Sequence, residues 1–187
     1  MSSVLTADAL GVVRLLAAVL FPGALARGGW LPLVLFGVAA ATDFFDGMVA
    51  RRGRGPTAHG AVLDNVADIA FVIAANGTAA ALRMIPWAVP LAIASSFAVY
   101  VLASATASAT HGTVRMARSS VGHAAGVVNY ALAGLVAGAA AVPWGGWRLV
   151  LAAASAVVIA VNLTAIMQRL TQGRRAPVPP GAGTAPR

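Results

Sequence analysis

The sequence predicts an all-α integral membrane protein with six transmembrane helices and both termini in the cytosol, and three observations predict it. Hydrophobic residues fill 59% of the 187 positions and charged residues only 10%, where a soluble domain carries roughly 25% charged residues. Six apolar tracts, each near the ~20 residues that cross a bilayer once, occupy most of the chain. The 13 basic residues, every one an arginine, collect in alternate connections, the bias that orients membrane proteins.

The tracts are cut by Gly, Pro or Arg near positions 22–30, 51–59, 83–86, 109–119 and 143–148. The first helix is expected over 8–26. Met1 to Thr6 holds no Arg or Lys, and Arg14 lies inside the apolar stretch rather than before it, so this segment belongs to the fold rather than to a removable signal. The second helix is expected over 31–50, stopped by the arginines at 51, 52 and 54, and the third over 60–82. A fourth over 87–108, a fifth over 120–141 and a sixth over 147–169 complete the set. Residues 1–172 thus form one membrane domain. Residues 173–187, rich in Pro, Gly and Arg, bury too little apolar surface to fold and make a disordered basic cytosolic tail.

Alternation of six helices puts Arg14, Arg51, Arg52, Arg54, Arg115, Arg118, Arg169, Arg174, Arg175 and Arg187 on one side and only Arg27, Arg83 and Arg148 on the other. The larger group marks the cytosol. Trp30, Trp87, Trp144 and Trp147 all fall at helix ends on the outer side, as an interfacial belt does. The net charge of +8 does not indicate nucleic acid, because the chain has no polar face over which a basic footprint could spread. With no cysteine, disulfides and thiol chemistry are excluded.

The five acidic residues are Asp8, Asp43, Asp46, Asp64 and Asp68, so four of them fall within positions 43–68. Asp43 and Asp46 are three apart near the cytosolic end of the second helix; Asp64 and Asp68 are four apart near the cytosolic start of the third. Such spacings put each pair on one helix face. A short arginine-rich turn lets the two faces converge. One reading is a structural ion-pair cluster with Arg51, Arg52 and Arg54. The other is a divalent site of hard oxygen ligands for Mg²⁺ or Mn²⁺, in which two ions about 3.5 to 4 Å apart would assist an in-line phosphoryl displacement. Gly47, Ala50 and Gly60 strip the same faces of side chains and leave space for a ligand. Arg51 is placed either to meet a phosphate oxygen or to anchor the helix at the cytosolic boundary.

The stretch Asp43-Phe-Phe-Asp46-Gly47-Met-Val-Ala50-Arg51, followed after eight residues by Gly60-Ala-Val-Leu-Asp64-Asn-Val-Ala-Asp68, resembles the signature of the CDP-alcohol phosphatidyltransferase family at all eight of its defined positions. The resemblance implies a multi-pass cell-membrane homodimer whose cytosol-facing site transfers a phosphatidyl group from CDP-diacylglycerol to a small polar alcohol, releasing CMP. It implies that Asp43, Asp46, Asp64 and Asp68 bind metal, with Asp68 also the general base for the acceptor hydroxyl. By the same resemblance Gly47, Ala50, Arg51 and Gly60 line the cytidine diphosphate pocket. The first helix departs from the family: Asp8 and Gly11 stand where Asn and Thr are common a few residues before Arg14, and Asp8 is read instead as a helix cap.

Arg115 and Arg118, three apart and followed by Ser119, Ser120 and His123, form a second cytosolic polar cluster. Two guanidiniums on one face grip a phosphate, or else serve as orientation anchors. A phosphate grip implies a phosphorylated acceptor, inositol phosphate or glycerol phosphate; serine or inositol is the alternative. The stretch Gly60 to Asp64 is similar to bacterial phosphatidylinositol phosphate synthases, whereas phosphatidylglycerol phosphate synthases often have Pro at the place of Asn65 and Lys at that of Ile69. His123 reads as a packing residue. Gly122, Gly126, Gly134 and Gly138 recur at multiples of four, which predicts that the fifth helix packs closely against protein in the same chain or another. The competing function, a cation transporter using the same carboxylates, calls for ionisable groups near the bilayer midplane and repeated halves, and the sequence shows neither.

Overall fold

The computed structural model describes the backbone of residues 2–52, 58–111 and 120–173 and the side chains of 11–42, 44–45, 66–103 and 121–171. It contains α1 (Ser2–Arg27), α2 (Leu31–Arg52), α3 (Ala58–Ala81), α4 (Ala88–His111), α5 (Ser120–Ala141) and α6 (Trp147–Gly173), and no strand among the described residues. Every expected helix is present. α1 begins at Ser2 rather than at residue 8, because nothing in the Ala- and Leu-bearing stretch before Asp8 breaks a helix. Asp8 is therefore an interior helical position and not the cap. α6 runs on to Gly173, and the rest of the expected tail lies outside the described residues.

The helix ends follow local chemistry. Pro32 and Pro90 occupy the first turns of α2 and α4, where a missing N–H costs nothing and the fixed φ suits the helix. Gly28 and Gly29 turn the chain from α1 to α2 at φ +73° and +80°, a left-handed conformation that glycine adopts without steric penalty. Gly29 N–H also donates to Ala140 O of α5 at 3.0 Å, tying the first turn to the far end of the fifth helix.

Within the bundle, α1 packs against both α2 and α3, and α6 against both α4 and α5; α2–α5, α3–α5 and α3–α4 contacts join the two groups. Small residues make the close approaches. On α1 the enclosed face is Gly11, Arg14, Ala17, Ala18, Phe21, Ala24 and Leu25; on α3 it is Ala67, Phe71, Val72, Ala75 and Ala79. Both follow the three-and-four spacing of one helix face. At the centre Phe71 meets Phe21 edge-on at 5.3 Å and stacks on Tyr130 at 5.5 Å, and Phe36 lies 5.5 Å from Tyr130.

Part of the glycine stripe of α5 has partners in the same chain. A Cβ on Gly134 would stand 2.7 Å from Phe36 Cζ, and one on Gly138 would stand 3.2 Å from the Trp147 ring. Polar clamps add specificity. Asn162 donates to Asn129 Oδ1 at 2.7 Å and to Val158 O at 2.8 Å, while Arg169 donates to Ser96 O at 3.2 Å and lies 4.6 Å from the Tyr100 ring centre.

Among the described residues, Val121–Ala141 in α5 and Trp147–Thr171 in α6 are long and apolar enough to cross a membrane; Leu31–Thr42, Val66–Ala81 and Ala88–Ala103 are shorter apolar stretches. Trp30, Trp87 and Trp144 are all more than half exposed, at the bundle end formed by the α1–α2, α3–α4 and α5–α6 turns.

Candidate active site

The described part of the site is built by α1 and α3. Asp68 follows the enclosed Ala67 and precedes Phe71 by three residues, so its carboxylate stands about one turn above the aromatic centre of the bundle. Arg14 lies on the α1 face that carries Phe21 seven residues on. The guanidinium is completely enclosed, and its Nη1 donates to Asp68 Oδ1 at 2.6 Å. A short charge-assisted bond of this kind is about twice as strong as a neutral one. Gly11, Ala17 and Ala18 supply the space, since a bulky neighbour would hold α1 and α3 apart. The Asp68 side chain keeps 32% of its surface open, enough for the carboxylate to meet a ligand while Arg14 holds it.

The sequence reading used Arg14 only to set orientation and missed this pairing. The signal was available: an arginine in the middle of an apolar tract needs a counter-charge. Asp68 is the eleventh residue of α3 and the third of its apolar stretch Val66–Ala81.

Asp43 and Asp46 lie on the unbroken α2, one turn after the enclosed Ala39 and Thr42, while Phe44 and Phe45 between them are exposed. Asp64 lies on the unbroken α3, one turn before Asp68. The register required by the acid spacing is therefore kept in both helices. The side chains of Asp43, Asp46, Asp64, Gly47, Ala50, Arg51 and Gly60 lie outside the described residues, as do Arg115 and Arg118. Among the described residues no three metal-binding side chains come together. The donor set of carboxylates without thiols suits a hard divalent cation. His123 is exposed rather than packed, because it falls on the side of α5 away from Ala125 and Asn129.

The bundle thus sets the Asp68 carboxylate of α3 against an enclosed guanidinium of α1, with Asp64 one turn earlier on α3 and Asp43 and Asp46 three apart on α2. The chain belongs to the CDP-alcohol phosphatidyltransferase family, whose sequence profile matches residues 4–168. It is similar to the CDP-diacylglycerol--glycerol-3-phosphate 3-phosphatidyltransferase of Cereibacter sphaeroides, 43% identical over 74 residues, covering 35% of this chain and 32% of that protein. Proteins of the same name from Yersinia pestis (51% identical over 49 residues, 25% of this chain and 27% of that protein) and Yersinia enterocolitica (52% over 46 residues, 23% and 25%) are also similar. The chain thus spans about a third or less of the length of these curated relatives. No solved structure matches it.

Proposed function

We propose that the protein transfers a phosphatidyl group from CDP-diacylglycerol to glycerol 3-phosphate, with release of CMP, as a step of phospholipid biosynthesis. The observation that carries this reading is the eight-position motif in unbroken register on α2 and α3, with Asp68 held by Arg14 and still open to a ligand. The names of the relatives favour glycerol 3-phosphate over inositol phosphate, the acceptor towards which the Gly60 to Asp64 stretch leans.

In the reaction the acceptor hydroxyl oxygen attacks the phosphorus that carries diacylglycerol, the bond from that phosphorus to the CMP oxygen breaks, and the hydroxyl proton passes to a base. Asp68 is the base, its carboxylate reaching the hydroxyl from the open side. Arg14 fixes the carboxylate so that it need not reorient when substrate arrives. Asp43, Asp46, Asp64 and Asp68 would together hold one or two Mg²⁺ or Mn²⁺ ions, which when bound supply neutralising charge for the pyrophosphate. Gly47, Ala50, Arg51 and Gly60 would admit the cytidine diphosphate, and Arg115 with Arg118 would grip the acceptor phosphate. The same reading has six membrane spans, cytosolic termini and active site, and a homodimer.

Purified protein in detergent, given CDP-diacylglycerol and in turn glycerol 3-phosphate, inositol phosphate, inositol or serine, tests this by CMP release. Release dependent on glycerol 3-phosphate is expected. Release with another alcohol alone corrects the acceptor, and no release with any of them overturns the transferase reading in favour of ion transport.

A further inference from the structure

The bundle end away from the catalytic motif carries an open groove of about 1130 Å³ between the α3–α4 and α5–α6 turns. Arg83, Trp87, Trp144, Trp147, Arg148 and Leu151 line it. Among the described residues neither guanidinium makes a hydrogen bond or ion pair. None could find a carboxylate nearby, because the five acids of the chain are Asp8, Asp43, Asp46, Asp64 and Asp68, and none of them lies in either turn. The groove is therefore cationic without internal compensation.

Arg83 is also held at φ +59°, the one non-glycine residue in the left-handed region among the described residues. It closes α3 with Arg83 N–H to Ala80 O at 3.0 Å and Met84 N–H to Ala79 O at 2.9 Å, a helix ending whose left-handed position glycine normally fills. The turn from α1 to α2 uses glycine at its left-handed positions; here an arginine is kept at a site of strain, beside a second arginine. Trp87 and Trp144 expose more than half of their surfaces at the groove mouth, with ring systems suited to a headgroup layer.

We propose that this groove binds an anionic phospholipid, its phosphate held by Arg83 and Arg148 and its glycerol and upper acyl carbons lying against the tryptophans and Leu151. Charge complementarity selects the anion, and the aromatic and apolar lining selects a lipid over free phosphate. The site is distinct from the donor and acceptor sites, which lie with the aspartates towards the other end of the bundle. It rests on the reading of the helices as membrane spans.

Full-length protein reconstituted in phosphatidylcholine bilayers, doped with acyl-brominated phosphatidylglycerol or acyl-brominated phosphatidylcholine, tests this through tryptophan quenching. Phosphatidylglycerol should reach half-maximal quenching at about one tenth of the mole fraction that phosphatidylcholine needs. The R83A/R148A variant should lose that preference and keep its quenching by phosphatidylcholine, which shows it folded and inserted. Equal quenching by the two lipids in the unaltered protein overturns the groove as an anionic lipid site. Abolition of the preference by millimolar inorganic phosphate overturns the lipid in favour of the free anion. Absence of quenching by either lipid instead overturns the membrane reading.

Discussion

Arg14 of α1 and Asp68 of α3, 54 residues apart in the chain, are joined by a 2.6 Å bond in which the guanidinium is wholly enclosed and the carboxylate is not. The asymmetry gives the two residues different tasks. Arg14 is committed to the protein, while Asp68 faces both Arg14 and an open side.

Removing Arg14 takes from the part-open Asp68 carboxylate one charge-assisted hydrogen bond, of a kind worth about 1.5 to 3 kcal/mol and less where solvent reaches it. Arg14→Met should therefore lower the unfolding midpoint in detergent and depress CMP release. The double variant R14M/D68N should regain part of the lost stability without regaining activity. Additive losses of stability in the double variant would show that the two residues do not act as a pair.

Metal dependence predicts that Asp64→Asn abolishes CMP release while the protein still inserts and folds, and that excess chelator does the same to the unaltered enzyme. Activity retained in either experiment removes the metal from the mechanism.

Gly60 is read as space for the nucleotide. Gly60→Leu should block CDP-lipid binding by overlap, measured directly with the purified variant. Unchanged affinity would make Gly60 a helix-packing position.

Arg118→Ala should raise the acceptor KM roughly tenfold to a hundredfold, the worth of one charge-assisted contact, and leave the CDP-lipid KM alone. Equal change in both would indicate a general structural effect, and no change would make Arg115 and Arg118 orientation anchors only.

On α5 the structure distinguishes two glycines that look equivalent in the sequence. A Cβ at Gly134 meets the Phe36 ring at 2.7 Å, whereas one at Gly126 meets nothing within 4 Å. Gly134→Ala should destabilise by about 1 to 3 kcal/mol through overpacking, with partial rescue by Phe36→Leu. Gly126→Ala should be neutral or stabilising by about 0.5 to 1 kcal/mol. Thermal unfolding of the three variants in detergent checks the ordering.

Hydropathy made the helices legible because each is an apolar tract closed by Gly, Pro or Arg, and α5 was located to the residue. Helix ends were less so: α1 extends to Ser2 because polar residues carry a helix on where nothing stops it, and hydropathy is blind to that. Of the aspartate pattern, the helical register was legible, because spacings of three and four encode a face and α2 and α3 run unbroken through it. That Arg14 needs a counter-charge was legible from its apolar tract, but its choice of Asp68 was not, since that contact spans two helices and no local pattern records which acid it meets. Arg83 at positive φ was likewise hidden, because sequence rules expect glycine there. The packing partner of Gly134, Phe36, lies on a different helix and emerged only with the fold.

The Asn129–Asn162 amide pair bears on how the chain is made. Its two members sit on consecutive helices, so α5 and α6 can match their buried amides as soon as both have left the ribosome, with no help from the first four helices. Such a bond contributes only about 0.6 kcal/mol on average between membrane helices, too little to drive assembly but enough to favour one rotational setting of the hairpin over others. The hairpin at the end of the chain can thus settle its own register before it packs against the catalytic helices made ahead of it.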